Sequence, residues 1–242
     1  MALHVQWVLR LNRHEKKISK RYKKLIDTFK DKKVFTLEES IKKAKQSSTA
    51  KFDESIDVSL NLNLKQKKEE VNLRTVVNLP HGNGKKIKIA VLCEDSKVNE
   101  AKSSGADIAG SENLVNEILS GKIAFDKLVA TPAMMPKMGK LGKILGPKGL
   151  MPNPKLGTVT NDIKKTLKLL KEGQIEIKND SDGNLATSIG KKSFDDKKII
   201  DNFNALIQTI QKEKPSGIKG DFVVSSYITS TMGVSHKLKV KI

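Results

Sequence analysis

The hydrophobic periodicity of this chain changes twice, and that change limits its fold more than any other feature. Ile56, Val58, Leu60, Leu62 and Leu64 alternate with polar residues, and Val71, Leu73, Val77 and Leu79 largely do so again. A period of two sends every second side chain to one face, so both runs predict strands with one buried and one wet face. After Pro80-His81-Gly82-Asn83-Gly84 the pattern is different: residues 87–93 are nearly continuous apolar, as in a strand covered on both sides. A short helix closing at Gly105, a strand at 106–109, a helix at 111–119 stopped by Gly121, a strand at 125–130 and a helix from about 132 to 145 follow in turn. A last helix, 161–171, is closed by Gly173 as a left-handed cap. Such alternation predicts a small parallel sheet wrapped by helices.

Beyond Gly173 the wet-faced pattern returns. Residues 174–178 alternate, Ser181-Asp182-Gly183-Asn184 reads as a hairpin turn into a strand at 185–190, and Ile199, Ile200, Phe203, Leu206, Ile207 and Ile210 mark a long amphipathic helix that Pro215 ends. Two more strands are expected at 222–230 and 238–242. At the other end, Thr36-Leu37-Glu38-Glu39 is a capping box that starts a helix through Ile41 and Ala44. The simplest account is an insertion. An α+β domain made from both chain ends, 1–82 plus 174–242, carries an antiparallel or split sheet with helices, and an α/β, Rossmann-like domain with a small parallel sheet, 83–173, interrupts it. Gly82 and Gly173 would then be the hinge, and 242 residues suffice for two cores.

Charge points to the partner. Lys and Arg number 46 against 27 Asp and Glu, a formal net charge of +19, which fits a polyanion. Eleven basic residues face three acidic ones between Arg10 and Lys33, on a predicted helix through Ile18, Tyr22, Leu25, Ile26 and Phe29. Residues 1–13, acid-free with Trp7, Arg10 and Arg13, read as a lead-in rather than a transit peptide. Nine lysines stand against Asp162 between Lys137 and Lys171. Lys140, Lys143, Lys148 and Lys155 there are candidates for secondary phosphate contacts, beside the plainer reading of a stiff connector.

Other chemistries find little support. The lone Cys93 rules out a disulfide within the chain, and the four histidines are scattered without metal-ligand spacing, so no metal or cofactor is expected. No stretch approaches the roughly 20 apolar residues of a membrane span. A nucleotide-dependent enzyme in the inserted domain is the rival of another class, yet Gly82-Asn83-Gly84-Lys85 precedes a strand instead of following one, and no phosphate-loop motif occurs. That region also holds seven acidic residues against three lysines between Glu94 and Asp126. No helix-turn-helix or zinc-finger spacing supports a DNA binder. No catalytic residue is assigned.

The segment Leu145-Gly146-Pro147-Lys148-Gly149-Leu150-Met151-Pro152-Asn153-Pro154-Lys155 closely resembles the signature of the bacterial large-subunit ribosomal protein L-one (uL-one) family. Thr49 to Ser55, Leu79-Pro80-His81-Gly82, Asn179-Asp180 and Thr229 to Gly233 support the likeness, which spans about 18–233. The resemblance implies a two-domain, cytoplasmic, ribosome-associated protein, monomeric outside the ribosome, whose terminal domain grips large-subunit rRNA at the mobile stalk beside the tRNA exit site. It further implies help in releasing deacylated tRNA and repression of its own operon through the mRNA leader. A non-ribosomal RNA-binding regulator is the alternative within the same class.

Carried over from the family, the RNA-binding residues are Lys51, Phe52, Glu54, Ser55, Asp180, Gly183, Ser225, Thr231, Met232 and Gly233. Hydroxyls can bond a 2′-OH or phosphate, and Met232 offers a compliant apolar contact. A glycine at 233 would let a sugar-phosphate backbone come close. From its pattern alone Phe52 is an ordinary core aromatic. Ser181 and Ala186 depart from the family, where Lys and His are common.

Overall fold

The computed structural model describes residues 18–29, 34–63, 73–121, 123–215 and 220–240. The lead-in at 1–13, Leu64, Val71 and the final two residues lie outside these. The elements are α1 (Lys20–Thr28), α2 (Leu37–Ser47), β1 (Ser55–Leu62), β2 (Arg74–Asn78), β3 (Ile89–Leu92), α3 (Val98–Ser103), β4 (Ile108–Gly110), α4 (Glu112–Leu119) and β5 (Lys127–Ala130). Then come α5 (Met135–Met138), α6 (Gly142–Leu145), α7 (Ile163–Glu172), β6 (Gln174–Lys178), β7 (Asn184–Lys191), α8 (Asp196–Lys212), β8 (Val223–Ser230) and β9 (His236–Leu238).

Strands from both ends of the chain share one sheet of order β7-β1-β8-β9, antiparallel throughout. Its inner face sends Ile56, Val58, Leu60, Leu62, Leu185, Ile189 and Ile228 against Ile41 and Ala44 of α2 and Ile199, Phe203, Leu206 and Ile210 of α8. The alternation of β1 makes this possible, since a one-residue slip would turn its apolar set to water. Thr36 caps α2 as expected: its hydroxyl accepts the Glu39 N–H, and Glu39 accepts the Thr36 N–H in return.

A parallel sheet of order β4-β3-β5 lies between two apolar layers. Ala90 and Leu92 pack on one side with Leu114, Ile118, Met134, Met138, Leu141 and Leu145; Ile89 and Val91 pack on the other with Ile163, Leu167 and Leu170. Cys93 is buried and free, and burial pushes its thiol above the ordinary range.

Two expectations need correction. The helix foreseen over 132–145 is a succession of single turns, Pro132–Met134, Met135–Met138, Gly139–Leu141 and Gly142–Leu145. Pro136 lacks a donor and Gly139 and Gly142 are weak helix formers, so the hydrogen bonding shortens to 3₁₀ turns while Met134, Met138, Leu141 and Leu145 still face the core. Nor do β6 and β7 form a hairpin. β6 pairs antiparallel with β2 in a separate two-stranded ribbon, and β7 pairs with β1. Asn179 closes that ribbon, its Oδ1 accepting the Leu73 N–H at 2.7 Å.

Gly82 and Gly173 lie against each other. Gly173 caps α7 at φ +111°, as the sequence led one to expect, and a Cβ there would collide with Gly82 Cα. The buried Asn202 of α8 fixes the same spot, donating to the Gly82 and Ile189 carbonyls at 2.8 Å each and accepting the His81 N–H at 3.1 Å.

Candidate nucleic-acid interface

The corner where β1 begins and β8 ends is organised by one carboxylate. Glu54 is 0 % exposed; its Oε1 accepts the Ala50 N–H at 2.8 Å and its Oε2 the Met232 N–H at 3.0 Å. Burial alone would raise this acid. The two backbone donors and the nearby hydroxyls of Ser48 and Ser230 outweigh it and hold the carboxyl below its ordinary range. Among the described residues neither hydroxyl makes a well-aligned hydrogen bond of its own. Glu54, carried over as an RNA contact, is therefore an internal anchor: it faces the core side because β1 alternates and residue 54 shares the parity of Ile56 and Val58.

What Glu54 anchors is two exposed turns side by side. Phe52 is 55 % exposed and Met232 46 % exposed, so the reading of Phe52 as a core aromatic fails. Lys51 is exposed beside them. Thr231 Oγ1 accepts the Ser55 N–H at 3.0 Å, and the Thr231 N–H returns to the Ser55 carbonyl at 3.1 Å, joining the turn to the edge of β1. Asp53 accepts the Ser193 N–H and hydroxyl at 3.1 and 2.8 Å.

Gly233 has a different reason from the one expected. Its φ is not positive, and a Cβ there would run into Ser230 Oγ and Ser47 Oγ inside the protein. The glycine leaves room for the Ser47 and Ser230 hydroxyls where α2 meets the β8 turn.

Arg21, which the sequence reading missed, also serves this corner. Its guanidinium donates to Thr49 Oγ1 and to the Met232 carbonyl, both at 2.9 Å, tying α1 to the two turns. Among many basic residues on one helix face, nothing in the sequence distinguishes it.

Asp180, Gly183 and Ser225 are at the other end of the sheet. Asp180 Oδ1 accepts the Asp182 and Asn184 N–H groups at 3.0 and 2.7 Å, and Oδ2 accepts Asn184 Nδ2 at 3.0 Å. The Asn184 side chain and backbone donors keep the Asp180 carboxyl below its ordinary range. Gly183 turns at φ +81°, a left-handed conformation suited to glycine. Asn61 Nδ2 donates to Asn184 Oδ1 at 2.6 Å, and Asn61 pairs with Ser225. Six steps of extended chain, about 20 Å, separate Ser225 from Thr231. The ten carried-over residues thus form two clusters at opposite ends of one sheet, not a single patch.

Lys140, Lys143, Lys148 and Lys155 are exposed, and none forms an ion pair among the described residues. The segment they flank has a set shape: Asn153 Oδ1 accepts the Lys155 N–H, Thr158 Oγ1 accepts the Asn153 N–H, and Ala130 bridges Val159. Among the described residues no group of acidic, Cys and His side chains could hold a metal ion, and no helix is long and apolar enough to cross a membrane.

The Ribosomal protein L1p/L10e family model matches residues 41–234, most of the chain and every residue of both clusters. The chain belongs to the Ribosomal protein L1p/L10e family. Within that family it is 54 % identical over 223 residues to the large ribosomal subunit protein uL1 of Pelagibacter ubique, covering 92 % of this chain and 97 % of the relative. It is 45 % identical over 225 residues to the uL1 protein of Kosmotoga olearia, with 92 % and 96 % covered. To the uL1c protein of Phaeodactylum tricornutum it is 44 % identical over 226 residues, with 93 % and 98 % covered. L1p/L10e proteins are ribosomal proteins and not enzymes, which disposes of the nucleotide-dependent alternative.

Proposed function

We propose that the chain is a structural constituent of the large ribosomal subunit that binds large-subunit rRNA through the sheet built from its two ends. The observation that carries this is the pair of exposed apolar side chains, Phe52 and Met232, held beside Lys51 by the buried carboxylate of Glu54. Exposed large apolar groups fixed by a rigid internal anchor are a prepared contact surface, and the net charge of +19 suits a polyphosphate. Thr231, Ser55 and Ser225 supply hydroxyls for ribose and phosphate, while Asp180 and Gly183 shape the distal turn.

In this reading residues 1–82 and 174–242 are the rRNA-binding unit and 83–173 a second unit hinged at Gly82 and Gly173. Its exposed lysines at 140, 143, 148 and 155 make secondary phosphate contacts. The protein works in the cytoplasm on the ribosome's mobile stalk, beside the tRNA exit site. There it assists release of deacylated tRNA, and off the ribosome, as a monomer, it represses its own operon at the mRNA leader.

Filter binding with large-subunit rRNA at two salt concentrations tests the core of the proposal. Tight, salt-sensitive binding that survives excess duplex DNA is expected; equal affinity for both nucleic acids would refute it. A version with 83–173 replaced by a short linker should stay folded by circular dichroism and keep specific binding. Loss of binding in a folded fragment would refute the division of labour.

A further inference from the structure

The run Gly82-Asn83-Gly84-Lys85 is unsuited to a nucleotide, yet it holds the one asparagine of the sequence that is followed by glycine. An asparagine carboxamide is open to attack by the backbone nitrogen of the next residue, which helps to make asparagine thermolabile. Glycine in that next place hinders the attack least, because it has no Cβ. The fold supplies the rest. Asn83 Oδ1 accepts the Lys85 N–H at 3.0 Å, so a donor already sits on the oxygen that gathers charge when its carbon is attacked. Among the described residues neither the Gly84 N–H, the attacking group, nor Asn83 Nδ2, the leaving group, has a hydrogen-bond partner.

Other asparagines lack one of these features. Asn153 makes the same turn, accepting the Lys155 N–H at 2.9 Å, but Pro154 follows it and has no N–H to offer. After Asn61, Asn78 and Asn179 the next backbone N–H is held by the carbonyls of Gly183, Gly173 and Asn184, and after Asn161 by the Thr160 hydroxyl. Nor is the glycine free to change. Gly84 is exposed and turns at φ +73°, and a Cβ there would press on the Lys191 and Phe194 side chains at 3.1 Å. The turn that the chain requires keeps the reactive pair in place.

We propose that Asn83 is a site of spontaneous covalent modification, deamidating through a succinimide to aspartate and isoaspartate. Gly84 N bonds to Asn83 Cγ, its proton passes through water to Nδ2, the Cγ–Nδ2 bond breaks and ammonia leaves. One water then opens the ring, at Cγ to give aspartate or at the Asn83 main-chain carbonyl to give isoaspartate. Water is the only co-reactant, and nothing in this chemistry depends on RNA. Both products put a carboxylate next to Lys85 and Lys86 where a neutral amide stood. The isoaspartyl product also inserts a methylene into the main chain between two fixed points, the Gly82 carbonyl held by Asn202 and the Lys88 N–H held by Asp126. The modification therefore lengthens one of the two connections beside the Gly82–Gly173 contact.

To test this, the purified full-length chain is held at mildly alkaline pH, and its tryptic peptide 75–85 is followed by fragment mass spectrometry. That peptide also contains Asn78, an internal reference followed by leucine. Conversion at Asn83 is expected to exceed that at Asn78 roughly tenfold or more, because Leu79 carries a Cβ and its N–H is already bonded. Protein isoaspartyl methyltransferase should label the aged parent strongly and leave aged Asn83→Gln near the background of fresh protein, since the longer side chain closes no succinimide. Equal conversion at Asn78 and Asn83 overturns the proposal, and so does equal labelling of the aged parent and the aged variant.

Discussion

Glu54 and Met232 meet in a hydrogen bond of 3.0 Å between a fully buried carboxylate and a backbone N–H of an exposed turn, across most of the length of the chain. Replacing Glu54 by Gln keeps the shape but exchanges one acceptor oxygen for a donor, leaving a buried N–H without a partner at a cost of about 1–3 kcal/mol. Thermal denaturation of Glu54→Gln should show this loss at neutral pH. Because the folded state holds the carboxyl below its ordinary value of 4.5, its contribution is complete above that pH and disappears as pH falls through the lower folded value. The parent should therefore lose its advantage over the variant on acidification; a gap that stayed constant from pH 7 to pH 3 would refute the assignment.

Gly233→Ala should cost both stability and rRNA affinity, because its methyl group meets Ser47 and Ser230. Met232→Ala should cost affinity alone, since Met232 is exposed. Melting temperatures and dissociation constants measured together separate the two. A Gly233→Ala protein as stable as the parent would show that the two serines rotate away freely.

Arg21→Ala removes both bonds from α1 to the corner and should weaken rRNA binding severalfold with little change in melting temperature. Arg21→Lys should not restore it, because a single ammonium lacks the fork that reaches Thr49 and Met232 together. Full rescue by lysine would mean that only charge matters there.

His236 is buried against Phe29 and Phe35 in T-shaped contacts, at ring-centroid distances of 5.3 and 5.6 Å, and its Nε2 has no hydrogen-bond partner among the described residues. Burial, and then the ammonium of Lys43 above the Phe35 ring, lower its pKa from the ordinary 6.5. The neutral ring's contribution is complete above about that pH, and it is lost as pH falls toward the folded value, since the unfolded chain takes up the proton first. Hydrogen exchange in α1 should accelerate between pH 6.5 and pH 5 in the parent, after correction for intrinsic rates, and not in His236→Phe.

Local signals were legible in the sequence and pairings over distance were not. The Thr36 capping box, the left-handed cap at Gly173 and the alternation of β1 depend on neighbours a few residues away, and each stands in the structure as read. The partner of β6 does not, because its choice of β2 over β7 is settled by the packing of strands about a hundred residues apart. Burial of Glu54 could have been read from its parity with Ile56, had its charge not suggested a surface. Nothing marked Arg21, whose role depends on where α1 docks. The reason for Gly233 was likewise hidden, since Ser47 approaches it only after α2 has packed on the sheet.

Gly173 presses so closely on Gly82 that the main chain leaves no room for a methyl group at position 173. At this one point main chain meets main chain, braced by the Asn202 side chain, so the contact makes no demand on the surface side chains of residues 83–173. A new side chain at Gly173 would act as a wedge, driving its own pass of main chain off the one at Gly82.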